Sequence, residues 1–121
     1  MAFPVGNTIV SAIPVGNKWL VTWDHTGPAS YSQTTGDVVN AADIGFGGFE
    51  CVDSTVDTTS QLQPYVEHSS GGYGNAVASV ELSWFSLVTA TLGGQSQTAG
   101  TEVAATSNIS TFSVRLQAWC V

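Results

Sequence analysis

Three stretches of this chain alternate between apolar and polar side chains, and that period of two constrains the fold more than any other feature. In residues 18–24, Trp19, Val21 and Trp23 point one way, and Leu20, Thr22 and Asp24 the other. In "AVASVELSWF", Ala78, Val80, Leu82 and Trp84 share a face opposite Ser79, Glu81 and Ser83. In "FSVRLQAWC", Phe112, Val114, Leu116, Ala118 and Cys120 oppose Ser113, Arg115 and Gln117. Successive side chains leave a strand on opposite faces, so each stretch reads as a half-buried β-strand. Shorter β-type runs occupy residues 44–52 and "LQPYVE", where Pro64 restricts the strand to an edge or a bulge. No segment sustains a 3.6-residue period with helix caps. "NAADIG" and "EVAATSNIS" each suit a single helical turn that tucks an aliphatic residue onto the edge of the sheets. The pattern predicts an all-β fold, a single-domain antiparallel β-sandwich of jelly-roll-like type over residues 18–121.

Residues 1–17 read differently. "FPVGNT" at 3–8 returns as "IPVGNK" at 13–18, and two copies are too few for a stacked repeat. Proline disfavours helix at the residue before it and Gly-Asn supports a turn, so an extended N-terminal arm with bends near Gly6 and Gly16 is expected. Phe3, Val5, Ile9, Val10 and Ile13 are costly to leave in water, at roughly 1.5–3 kcal/mol each when fully buried. They are the candidate partner-binding residues, seeking a groove on this chain or on a neighbour.

Charge excludes whole classes of partner. Only 9% of the residues are charged, nine acidic against Lys18 and Arg115, for a net charge of −7. Nucleic-acid binding draws its affinity from clustered cations that neutralise phosphates, and two isolated ones cannot supply it. The same argument excludes anionic membrane surfaces. With four Trp, five Phe and three Tyr in 121 residues, disorder is not expected. The N-terminus lacks the basic start and apolar block of a secretory signal, so synthesis and use in the cytosol is expected.

Chemistry-bearing groups are sparse. The histidines are His25 and His68; Asp24 neighbours His25 in sequence but cannot share a strand face with it. No GxSxG elbow marks a serine as a nucleophile. Asp53 and Asp57 lack calcium-loop spacing and fit a solvated turn. Cys51 and Cys120 form no CxxC and read as small buried hydrophobes in a reducing compartment. No catalytic residue, metal site or cofactor is expected. Lys18 and Arg115 should each pair with an acid. The tryptophans and Tyr31 could stack on sugars, although alternation turns most of the tryptophans toward a core or an interface.

"TGPASY", then "GDVVNAADIG", then "GTEVAATSNISTFSVRLQAW" resemble a group of small virion proteins of tailed bacteriophages over residues 17–121. The matching positions are Gly27, Pro28, Ala29, Ser30, Tyr31, Gly36, Asp37, Ala41, Ala42, Asp43 and Gly45, then Glu102, Val103, Ala104, Ala105 and Arg115. The resemblance implies a jelly-roll-like capsid decoration, or cement, protein on the outside of a DNA-filled head. Its partners would be other copies of itself, as a trimer, and the major capsid protein. Residues 50–96 match nothing in the group, and Trp119-Cys120 stands where a glycine is usual, so a tail, neck or fibre module that contacts host glycans is the second reading. Within the decoration reading, Gly27, Pro28, Tyr31, Gly36, Asp43 and Gly45 form a structural joint. Pro28 holds its turn, Tyr31 packs beneath it, and the Ala-Ala turn closes the sandwich.

Overall fold

The computed structural model describes residues 7–67, the backbone of His68, and residues 76–121. Phe3, Val5, Gly6 and the first copy of the N-terminal echo up to Gly6 lie outside the described residues, as does the side chain of His68. The strands are β1 (Asn7–Val15), β2 (Lys18–Thr26), β3 (Asp37–Asn40), β4 (Phe49–Ser54), β5 (Leu62–His68), β6 (Ser79–Ser86), β7 (Ala90–Leu92), β8 (Gln95–Gln97) and β9 (Ser113–Cys120). One 3-10 turn, Ala41–Ile44, follows β3.

All pairings are antiparallel. One sheet runs β1-β2-β9-β4, a second runs β3-β6-β5, and β7-β8 is a separate hairpin. The alternation read from the sequence decides which faces meet: Val21 and Trp23 of β2 and Val114, Leu116, Ala118 and Cys120 of β9 pack with Val80, Leu82 and Trp84 of β6 in one core. Trp23 stacks on Phe49 at 5.6 Å, across the intervening β9. A jelly roll opposes two four-stranded sheets, whereas these strands form four plus three and a hairpin; antiparallel β-sandwich is the description they support.

Four expectations change in detail. From Asn7 on, the expected arm is the first strand of the four-stranded sheet, in register from Asn7↔His25 to Val15↔Lys18 with an irregularity between Ile9 and Ser11. The boundary expected at 17/18 is therefore a two-residue hairpin turn. Gly16 takes φ +63 there, at the first turn position, where a type II′ hairpin needs glycine. The strand expected over 44–52 begins only at Phe49, because Ala41–Ile44 is wound into the 3-10 turn that buries Ile44. "EVAATSNIS" forms turns without a helix and still buries Ile109. Trp19 shares the inward face of Val21 and Trp23 but lies past the end of the core, 40% exposed, with Phe46 6.1 Å away.

Candidate functional site

β1 is one of two edge strands of the four-stranded sheet, with β4 at the other side. Its inner side is anchored: Ile9 opposes Trp23 and packs against the core. Val10, Ile13 and Val15 are 48%, 52% and 49% exposed. Among the described residues only one edge of β1 is hydrogen-bonded, to β2, and no described strand pairs with the other, which lies beside these aliphatic side chains. Of the arm residues singled out from sequence, Val10 and Ile13 are thus on the open strand, and Ile9 is turned inward.

The start of β1 is tied to the core by a buried polar network. His25 Nε2 lies 2.7 Å from Asp37 Oδ2, and the same oxygen accepts a hydrogen bond from Trp84 Nε1 at 3.1 Å. His25 Nδ1 lies 2.9 Å from Asn7 Oδ1. Asn7 on β1, His25 on β2, Asp37 on β3 and Trp84 on β6 therefore bridge the two sheets. A cleft of about 370 Å³, lined by His25, Asp37, Gly27, Pro28 and Asp43 among others, opens beside the network. Both imidazole nitrogens are thus engaged by side-chain oxygens of the protein itself. Sequence reasoning set His25 aside by looking only at Asp24; the partner carboxylate is twelve residues away and is brought in by sheet-to-sheet packing.

The joint at residues 27–45 is assembled by pairing with the C-terminal loop. Gly27 N donates to Phe112 O at 3.0 Å, Ile109 N to Pro28 O at 3.0 Å, Tyr31 N to Ser107 O at 2.9 Å, and Thr106 N to Tyr31 O at 2.8 Å. The two chain segments approach so closely at Gly27 that a Cβ there would sit 2.6 Å from both Cγ1 and the backbone O of Ile109. Tyr31 is buried; its hydroxyl donates to Glu102 Oε2 at 2.7 Å and accepts from Trp84 N at 3.0 Å. It caps a β6 amide just past the point where β3, beginning at Asp37, runs out. Burial foremost, then the neighbouring Glu102 carboxylate, raises the Tyr31 pKa well above its ordinary value. Gly36 and Gly45 take φ +65 and +88, and Gly45 closes the 3-10 turn, where Asp43 is within 3.4 Å of Asn40 Nδ2.

The remaining singled-out residues sort into structural positions. Lys18 pairs with Glu50 at 2.6 Å and Arg115 with Asp24 at 2.8 Å. Asp53 is exposed on β4, but Asp57 is not in a solvated turn: it is buried and accepts from the backbone amides of Thr59, Gln61 and Leu62 at 2.7–2.8 Å and from the Thr59 hydroxyl. Burial alone would raise its pKa; those donors outweigh it and hold the carboxylate below its ordinary value. Cys51 and Cys120 are unbridged, on opposite faces of adjacent strands, with Cys51 exposed rather than buried. No trio of His, Cys, Asp or Glu spaced to hold a metal occurs among the described residues, and no helix there is long and apolar enough to cross a membrane. No protein family, curated protein or solved structure matches the chain.

Proposed function

We propose that this protein is a structural virion protein: a decoration, or cement, protein that binds the outside of a phage head and reinforces it. The observation that carries the reading is the open edge of β1, with Val10, Ile13 and Val15 each about half exposed. An unprotected strand edge invites addition of a strand from another chain, and aliphatic side chains beside it add burial to backbone pairing. The resemblance of residues 17–121 to small phage virion proteins supplies the partner: the major capsid protein, with further copies of this chain in a trimer at threefold positions. Symmetric repetition multiplies individually weak contacts into firm attachment. The net charge of −7, with both described cations paired to acids, suits a partner other than the packaged DNA.

The test is co-sedimentation of the purified protein with heads stripped of it, comparing wild type with Val10→Lys/Ile13→Lys. Lysine on an edge strand blocks strand addition without touching the core. Saturable binding by wild type, and its loss in the variant at an unchanged melting temperature, is expected. Equal binding by both proteins, or none by wild type, overturns the reading.

A further inference from the structure

The outer face of the four-stranded sheet, whose β1 edge carries Ile13 opposite Leu20, holds a second feature further in, on β9. Of the four tryptophans, Trp23 and Trp84 are fully buried and Trp19 lies past the end of the core, but Trp119 projects outward from β9, a strand flanked on both sides, and is 37% exposed. The register places Leu20 of β2 and Cys51 of β4 on either side of it. Two residues along, Gln117 lies between Thr22 and Asp53; two further on, Arg115 pairs with Asp24. A depression of about 230 Å³ is lined by Thr22, Asp53, Arg115 and Gln117 with Ser54 and Thr55.

From this arrangement we infer that the outer face is a binding site for a neutral glycan, with Trp119 as the stacking platform and Gln117, Thr22 and Asp53 as the hydroxyl-binding row. The face of an indole is the negative pole of its quadrupole, and a pyranose presents one face of weakly positive C–H groups to it. Successive outward positions on a strand lie roughly 6.5–7 Å apart, about the width of one sugar ring. A ring on Trp119 therefore sets its neighbour over the amide, hydroxyl and carboxylate of the next row, which together both donate and accept hydrogen bonds. Charge selects the class of sugar. Both cations on this face are already held by acids, Arg115 bidentately by Asp24 at 2.8 and 3.2 Å and Lys18 by Glu50 at 2.6 Å, and Asp53 repels anions, so a neutral saccharide fits and a sulfated or phosphorylated one does not. Such sites combine an aromatic surface with a few placed polar groups on a rigid frame; here the frame is the middle of a sheet. The site does not rest on the decoration reading.

The experiment uses the full chain and three neutral probes: maltotriose, galactotriose and triacetylchitotriose. Backbone amide NMR shifts are followed during titration, beside the thermal midpoint and the oligomeric state of each variant. Saturable shifts centred on Gln117 and Trp119 are expected with at least one probe. Trp119→Ala should weaken binding at least about tenfold, Trp119→Tyr should retain part of it, and Trp19→Ala should leave it unchanged. Absence of a saturable response to all three sugars overturns the inference, as does equal affinity in Trp119→Ala. A change in self-association on Trp119→Ala, with no sugar response in wild type, also overturns it and assigns the face to protein contacts.

Discussion

Replacing Asp37 with alanine removes one side chain and orphans two donors. Asp37 Oδ2 accepts from His25 Nε2 and from Trp84 Nε1. Trp84 is fully buried, so its indole N–H finds no water and should cost about 1–3 kcal/mol when left unpaired. His25 borders the cleft and can turn to water there, which limits its share to the net value of a hydrogen bond, about 0.5–1.5 kcal/mol. The sum, roughly 1.5–4.5 kcal/mol, is a large fraction of the 5–15 kcal/mol that holds a typical domain together. Urea unfolding followed by tryptophan fluorescence should show a lower midpoint at unchanged slope. Asp37→Asn keeps one acceptor oxygen and should lose less. In a Trp84→Phe background the indole donor is already gone, so Asp37→Ala should cost about 1–3 kcal/mol less than in wild type, a coupling that a double-mutant cycle reads directly. Stability of Asp37→Ala within about 0.5 kcal/mol of wild type, or strict additivity with Trp84→Phe, would refute the network as the tie between the two sheets.

Three further perturbations probe the joint, the buried turn and the thiols. Gly27→Ala puts a methyl 2.6 Å from the Ile109 backbone oxygen, which cannot swing aside as a side-chain end can; a loss of about 1–3 kcal/mol is expected, seen as a lowered thermal midpoint. Asp57 has a folded-state pKa below its ordinary 3.8, so its contribution to stability is complete above that value and is lost as the pH falls through the folded value; Asp57→Asn should flatten the acid limb of a stability–pH curve measured by urea unfolding. Burial pushes the Cys120 thiol up to about 11, while Cys51 is exposed. A thiol reagent at neutral pH should therefore modify one cysteine in the native protein and both after unfolding, as counted by mass spectrometry.

The core strands were legible because one face of each is buried and the other is wet: the alternating sets on β2, β6 and β9 read from sequence are the inward faces found in the structure, apart from the overhang of Trp19 and from Ala78, which precedes β6 and is exposed while Val77 is buried. The paired cations were legible too, since two positive charges among nine acids rarely stay alone. What escaped were contacts that no local pattern encodes. Asn7, His25, Asp37 and Trp84 come from four strands and meet only once two sheets have packed. Asp57 looks like surface in "VDSTVDTTS", yet a loop that folds its own amides onto the carboxylate removes the reason for it to stay in water. β1 reads as an arm because Pro-Val-Gly-Asn is repeated and marks bends rather than a strand; its pairing with β2 depends on register with a partner that no local pattern shows, and most of its residues are exposed, unlike those of an interior strand.

The most direct measurement is a cryo-electron-microscopy difference map between phage heads carrying the protein and heads lacking it. The account predicts density for a β-sandwich of this size on the outer head surface, repeated at threefold positions, with β1 against its neighbour. Heads that give identical maps, or extra density confined to the tail, would contradict it.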